Sequence, residues 1–185
     1  MNNLGLHVRL WLVAGFWGVA WTAGRVVATE MDDWPVFGAW LRYIIAVPAF
    51  LLWLRWSEGW FVPSIAQWKR LFWIGACSTF LYQVLFMHGM GLTAAGDASL
   101  MITLNPLFTS VLAVIVLGHP MTRELGGGLF LGLLGITVLF LASPNVDLPA
   151  NERWLGNGFI ATSALAWAAA TLLIRSAMDV EESER

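Results

Sequence analysis

The chain has 185 residues, of which 58% are hydrophobic and only 12% are charged. Soluble domains carry about 25% charged residues, so this composition is typical of a membrane protein. The formal net charge of −2 gives no basis for a nucleic-acid partner. The single cysteine, Cys77, excludes a disulfide framework and a cysteine metal cluster.

Six apolar stretches, separated by short polar breaks, occupy most of the chain. They run over residues 10–28, 36–54, 71–90, 98–117, 125–142 and 155–174. Each is close to the roughly 20 residues that a helix needs to cross a bilayer, and each is too long and too continuous for a barrel strand. The sequence therefore predicts an all-α membrane protein with six transmembrane helices, numbered here 1 to 6 in chain order.

The distribution of basic residues predicts a cytoplasmic N-terminus. Cytoplasmic loops carry an excess of Lys and Arg, and in this orientation the outside loops hold only Arg153. Seven basic residues then lie inside: Arg9, Arg55, Lys69, Arg70, Arg123, Arg175 and Arg185. Acidic residues gather in the outside loops: Glu30, Asp32, Asp33, Asp147 and Glu152.

Helices 1 and 2 each contain an arginine inside the predicted span. Ionisable residues within a bilayer are costly and are candidates for function. Arg25 lies about one turn from the outer end of helix 1, so its long stem can reach the interface, or it can serve a site. Arg42 lies about six residues into helix 2, roughly 9 Å below the outer boundary. At that depth we expect a partner or a water-filled cavity.

Helices 3 and 4 add polar residues to the same outer half of the membrane. His88 lies near the outer end of helix 3, Gln83 lies deeper in that helix, and Asp97 opens helix 4. Asp97 is predicted either to act as the N-cap of helix 4 or to belong to a polar outer vestibule. In the vestibule hypothesis Arg42 pairs with Asp97 or binds an anionic group of a substrate.

Asn105-Pro106 is the most distinctive polar feature of helix 4, about 12 Å below Asp97 and near the midplane. Proline has no N–H to donate, so we expect a free Ile102 carbonyl and a kink. Pro48 is expected to act similarly in helix 2. Transporters place their sites at broken helices near the midplane. The alternative is a packing kink in which Asn105 bonds to a neighbouring helix.

Small residues and a weak internal sequence repeat indicate how the helices pack. Gly128 and Gly132 in helix 5 have the four-residue spacing that lets two helix backbones approach closely. Trp21 in helix 1 and Trp167 in helix 6 each lie among small residues and align with each other. A repeat of five spans inverts its second copy, which is the architecture of many secondary transporters.

The sequence contains no recognisable catalytic or metal-binding arrangement. The predicted spans hold no paired carboxylates and no His-plus-acid spacing, and the glycines at 126–128 lack the strand-to-helix context of a phosphate loop. We therefore expect a protein that is not an enzyme and has no cofactor. The candidate residues of a substrate pathway are Arg25, Arg42, Gln83, His88, Asp97, Asn105 and Pro106.

Four groups of residues carry a family resemblance. They are Phe16-Trp17-Gly18 followed by Arg25, Leu41-Arg42-Tyr43 with Ala46, the run from Gly89 to Thr122 around Asn105-Pro106, and Gly156 to Arg175. Together they resemble the EamA-type family of the drug/metabolite transporter superfamily. The chain departs from the family after Leu117-Gly118, where His119-Pro120 replaces the usual Glu-Arg pair.

The resemblance implies a transporter of ten helices in two inverted five-helix repeats. Residues 1–142 then form the first repeat, 143–154 a linker loop, and 155–185 the first helix of a truncated second repeat with an acidic tail. The other helices are expected from a longer gene or from a second copy of the chain. The implied function is outward transport of small metabolites or drugs by alternating access, across the cytoplasmic membrane of a bacterium or archaeon.

Two other functions stay open on the sequence alone. A non-transporting subunit, or an incomplete fragment that acts only through helix association, is favoured by the missing second repeat and disfavoured by the intramembrane polar residues. A flippase for lipid-linked sugars would have the same fold. The proton exchange of small multidrug exporters is disfavoured, because helix 1 lacks their mid-helix glutamate.

Overall fold

The computed structural model describes residues 3–31, 34–57, 59, 62–142 and 148–183, and all regular structure in these ranges is helical. Some sequence predictions concern residues outside these ranges and stay predictions. They are the placements of Asp32, Asp33, Asp147 and Arg185 and of the linker over 143–147. The structure also does not describe the side chains from Asp179 onward, which belong to the predicted acidic tail.

Four of the helices are continuous. Helix 1 spans Asn3–Glu30, helix 2 Pro35–Ser57, helix 5 Arg123–Ala142 and helix 6 Ala150–Ser183. Helix 3 covers Ile65–Leu92 and helix 4 covers Ala95–Leu117. Helix 6 begins at Ala150 rather than at the predicted residue 155, so Glu152 and Arg153 lie in its first turns and not in a loop.

Five of the helices in the described ranges, helices 1 to 4 and helix 6, are long and apolar enough to cross a bilayer. Helix 5 is a further helix of 20 residues. The chain is therefore a helical, multi-pass membrane protein. Large apolar side chains cover the outside of helices 1 and 2, as expected for surfaces that face lipid, where no water is present to favour polar groups.

Helix 3 begins with a capping box and changes its winding halfway. The backbone N–H of Ser64 donates to Gln67 Oε1 at 2.8 Å, and Gln67 N–H donates back to Ser64 Oγ at 3.3 Å. The segment Ala76–Leu81 is π-helical, between α-helical Ile65–Gly75 and Tyr82–Leu92. Such segments are rare and occur frequently at functional sites. This one ends directly before Tyr82 and Gln83.

Helix 4 is interrupted before Asn105-Pro106, but not in the predicted way. A 3₁₀ turn over Ile102–Leu104 separates Ala95–Met101 from Asn105–Leu117. The Ile102 carbonyl is not free, because it accepts the backbone N–H of Asn105 in the tighter 3₁₀ pattern. Helix 2 continues unbroken through Pro48.

Helix 6 occupies the centre of the described bundle, packed against helices 3 and 4. It buries small and apolar side chains along its length: Ile160, Ala164, Ala168 and Leu172. Helix 6 approaches the backbone of helix 3 closely at Gly156, where an added Cβ would lie 2.8 Å from the carbonyl carbon of Leu92. Of the predicted glycine pair in helix 5, only Gly132 contacts another helix, at the Leu107 side chain. A Cβ added at Gly128 would have no described atom of another helix within 4 Å.

Candidate functional site

A cavity of about 630 Å³ lies between helices 1, 2 and 3. Its volume falls in the range of small-molecule sites, about 300 to 1,000 Å³. Its wall is mostly apolar and contains five aromatic rings: Phe16, Trp17, Trp21, Tyr82 and Phe86. The side chains of Arg42 and Gln83 also line it. We call this space the Arg42 cavity.

Arg42 and Gln83 form the polar part of the Arg42 cavity. Nη2 of Arg42 donates to Oε1 of Gln83 and, at 3.3 Å, to the hydroxyl of Tyr43. The guanidinium carbon also lies 5.1 Å from the centre of the Tyr43 ring, within the range of a cation–π contact. Gln83 is fully buried, and its Nε2 has no hydrogen-bond partner among the described residues. A charged group deep in helix 2 is thus held by neutral partners.

Arg25 follows the cavity-lining Gly24 and forms a hydrogen bond with the end of helix 3. Its Nη1 donates to the backbone carbonyl of Met90, in the last turn of helix 3. The last four carbonyls of a helix lack intrahelical partners, and a cation near them is favourable because the helix dipole is negative there. Arg25 therefore ties helix 1 to the end of helix 3.

Asp97 has a different partner from the predicted Arg42. Its Oδ2 forms an ion pair with Nε of Arg153 from the start of helix 6, and the Asp97 side chain is only 4% exposed. The N-cap of helix 4 is Ala94, so the N-cap prediction for Asp97 is also wrong. Asp97 lies in the first turn of the helix, where a carboxylate interacts favourably with the positive end of the dipole.

A second polar contact joins the same two regions. Thr93, between helices 3 and 4, donates its hydroxyl to Oδ1 of Asn157 at 2.8 Å, and both residues are buried. Together with Asp97–Arg153 and the close approach at Gly156, this contact fastens helix 6 to the turn between helices 3 and 4. We call the set of Thr93, Asp97, Arg153, Gly156 and Asn157 the helix 6 clamp.

Replacing Thr93 by valine is expected to lower the free energy of unfolding by about 1 kcal/mol, the scale of hydrogen bonds between membrane helices. Valine keeps the shape and removes the donor to Asn157. Thr93→Ser keeps the hydroxyl and serves as the control. Equilibrium unfolding in mixed micelles measures both, and a Thr93→Val variant as stable as wild type would show that the hydrogen bond contributes little.

The remaining candidates lie away from the Arg42 cavity. His88 is exposed, and its Nδ1 lies 2.8 Å from the backbone carbonyl of Val84 in the same helix. The centre of its ring lies 6.2 Å from the centre of the Phe159 ring. Asn105 is half-buried and accepts the hydroxyl of Thr109 at 3.2 Å, within helix 4. Pro106 is exposed in the first turn after the 3₁₀ segment. Only Arg42 and Gln83 of the seven candidates line the cavity.

An aromatic row links helices 1, 3 and 6. Tyr82 and Phe86 of helix 3 stack with ring centres 5.4 Å apart. Trp21 of helix 1 contacts Phe86 at 5.5 Å, and Trp167 of helix 6 contacts Tyr82 at 5.2 Å. The two tryptophans that align in the sequence therefore flank one aromatic pair from opposite sides. No group of three or more His, Cys, Asp or Glu residues in the described ranges could hold a metal ion.

Of the five residues of the helix 6 clamp, the sequence pattern indicates only Asp97 as a candidate. It predicts a loop position for Arg153 and no contact for Thr93, Gly156 or Asn157. A signal was present in the order Arg153, Gly156, Asn157, since residues three and four apart share one face of a helix. That face extends over the first turns of helix 6, which begins at Ala150 and not at the predicted residue 155.

The described residues thus form a membrane-embedded helical bundle with a cavity large enough for a small solute. The EamA-like transporter family matches residues 8–141, and the chain belongs to this family. That match covers helices 1 to 5 apart from short end segments, including both polar residues of the Arg42 cavity. No solved structure matches the chain.

Relatives from several organisms match the chain, and two of the three described here are named as transporters. An uncharacterized transporter of Archaeoglobus fulgidus is 25% identical over 92% of this chain and 57% of its own length. An uncharacterized transporter of Synechocystis is 32% identical over 76% of the chain and 42% of its own length. The PagO protein of Salmonella typhimurium is 24% identical over 84% of the chain and 50% of its own length. The chain thus spans about half the length of the relatives it matches.

Proposed function

We propose that this chain forms part of a secondary transporter that exports small metabolites or drugs across the cytoplasmic membrane by alternating access. The observation that carries this proposal is the Arg42 cavity, in which a guanidinium and a buried amide interrupt an otherwise apolar wall. Ionisable groups at such a depth cost free energy, so they are rare in membrane spans and are candidates for function. The transporter names of the relatives support the same conclusion.

The proposal includes the topology and the division of the chain. Six helices cross the membrane with the N-terminus inside, which the distribution of Lys and Arg supports. Residues 1–142 act as one repeat, and helix 6 opens a second. The symmetric contacts of Trp21 and Trp167 on the Phe86–Tyr82 pair support an equivalence of helices 1 and 6. A second repeat or a second copy of the chain completes the pathway.

The seven candidate residues have different roles in this proposal. Arg42 contacts the substrate and Gln83 positions it, whereas Arg25 and Asp97 hold helices together at one end of the bundle. His88 lies outside the cavity, next to helix 6. Asn105 and Pro106 mark the break in helix 4, where the two halves of that helix can change their relative angle during the transport cycle.

Loss of the Arg42 charge is expected to reduce export strongly. Metabolite profiles of cells with and without the native gene identify the exported compound. Its efflux is then measured with Arg42→Ala, which removes charge-assisted hydrogen bonds worth about 1.5 to 3 kcal/mol each and should lower transport about ten- to hundredfold.

Arg123→Ala is the matched control, because it removes an exposed arginine at the start of helix 5, far from the cavity. Equal efflux in wild type and Arg42→Ala, at equal amounts of protein in the membrane, would refute a role for the Arg42 cavity in transport. Identical metabolite profiles with and without the gene would refute the transport function itself.

A further inference from the structure

We infer that the Arg42 cavity selects monocarboxylates with an aromatic body and rejects amino acids and amines. This inference rests on the proposed transport function and adds the chemical class of the substrate. It starts from the charge of the cavity. Arg42 is the one charged side chain among the described residues that line it, and no carboxylate lines it.

The partners of Arg42 leave its positive charge without a counter-ion. Gln83 offers a neutral amide oxygen, and Tyr43 offers a hydroxyl and a ring face. The two other arginines at this end of the bundle differ: Arg153 has the carboxylate of Asp97, and Arg25 has a helix C-terminus. The Arg42 side chain is also exposed, so an anionic ligand can reach its guanidinium and pair with it without displacing a carboxylate of the described residues.

Hydrogen-bonding capacity points to the same class of ligand. A guanidinium donates in a planar fork that fits a carboxylate with two parallel hydrogen bonds. Gln83 uses its acceptor on Arg42, and its Nε2 donor has no partner among the described residues. Arg42 and the Gln83 Nε2 therefore offer hydrogen-bond donors to a ligand, whereas the Gln83 Oε1 acceptor is already occupied by Arg42. A ligand rich in acceptors fits, whereas an ammonium group finds no carboxylate.

The rest of the wall specifies the body of the ligand. Trp17 and Trp21 from helix 1 and Tyr82 and Phe86 from helix 3 all line the cavity, and Trp21 and Phe86 are in ring contact. Aromatic rings favour offset or edge-to-face contact with another ring, worth about 0.5 to 1.5 kcal/mol beyond burial. These rings could also attract a cation through their faces, and that is the competing outcome that the test must distinguish.

Three ligands with one skeleton separate these outcomes: 3-phenylpropanoate carries only the carboxylate, phenethylamine only the ammonium, and phenylalanine both. Binding to the purified chain in lipid nanodiscs is measured by calorimetry at neutral pH. We expect 3-phenylpropanoate to bind at least about tenfold more tightly than the other two, because a buried ammonium without a partner costs at least 1 to 3 kcal/mol.

Gln83→Glu supplies the missing counter-ion and still accepts the hydrogen bond from Arg42. We expect it to weaken 3-phenylpropanoate binding at least about tenfold. Gln67→Glu is the matched control, since it makes the same chemical change in helix 3, where glutamate also satisfies a capping box. It should bind as wild type does.

A wild-type protein that binds phenylalanine or phenethylamine as tightly as 3-phenylpropanoate, or binds none of them, overturns the inference. So does a folded Gln83→Glu variant with unchanged affinity. If that variant does not fold, the wild-type ranking still decides. The binding experiment and the efflux experiment have independent outcomes. If 3-phenylpropanoate does not bind most tightly, Arg42 can still be required for efflux of another compound. If efflux does not depend on Arg42, the binding preference can still hold, so the inference and the proposed function are tested separately.

Discussion

Replacing Asp97 by alanine is expected to lower the free energy of unfolding by about 3 kcal/mol or more, since breaking a buried ion pair by removing one partner is strongly destabilising. Asp97 is 4% exposed and Arg153 15% exposed in their side chains. The variant removes the Asp97 carboxylate from the guanidinium of Arg153. Equilibrium unfolding in mixed micelles gives the loss of stability directly.

Glu124→Ala is the matched control for this prediction. Glu124 and Asp97 both lie in the first turn of a helix, so both lose the same favourable interaction with the helix dipole. Glu124 is exposed, however, and forms no ion pair among the described residues. A loss in Asp97→Ala no larger than in Glu124→Ala would show that the ion pair contributes little. The exchange Asp97→Arg with Arg153→Asp should recover part of the stability.

The helices could be predicted from the sequence because each depends on local composition. Long apolar runs cannot remain in lipid without satisfied backbone groups, so they form helices wherever they occur. The break at Asn105-Pro106 was predictable for a similar reason, since proline lacks the N–H that an unbroken helix needs. Its form, a 3₁₀ turn that satisfies the Ile102 carbonyl, was not predictable, because either a free or a rebonded carbonyl is compatible with the sequence.

The sequence predicts how deep in the membrane each polar residue lies, but not which residue it contacts. Position along a helix gives the distance from the membrane surface, and it places Arg42 and Asp97 in one half of the bundle. It does not give the direction in which a side chain points around the helix axis. Arg42 therefore meets Gln83, and Asp97 meets Arg153, although the pair Arg42–Asp97 was equally compatible with depth.

The winding of helix 3 was beyond sequence reasoning for another physical reason. The residues of the π-helical segment Ala76–Leu81 include neither glycine nor proline, and its apolar character matches an ordinary helix. One extra residue per turn rotates every later side chain around the axis. The directions of Tyr82, Gln83 and Phe86, and with them the wall of the Arg42 cavity, depend on that rotation.

The second large effect is expected from Gly156→Ala. Helix 6 crosses helix 3 so closely that the new Cβ would lie 2.8 Å from the carbonyl carbon of Leu92 and 2.9 Å from the nitrogen of Thr93. These are backbone atoms and cannot rotate away, so helix 6 must move. We expect a loss of about 1 to 3 kcal/mol, the usual cost of overpacking, even though alanine favours the helix more than glycine does.

Gly158→Ala is the control for that prediction, because a Cβ there meets nothing within 4 Å. It should leave stability unchanged or raise it by up to about 1 kcal/mol. Combining Gly156→Ala with Thr93→Val tests the mechanism. If helix 6 moves away, the bond from Thr93 to Asn157 is already weakened, and the two losses should sum to more than the loss of the double variant. Strict additivity would mean that the alanine is accommodated locally, without opening the helix 6 clamp.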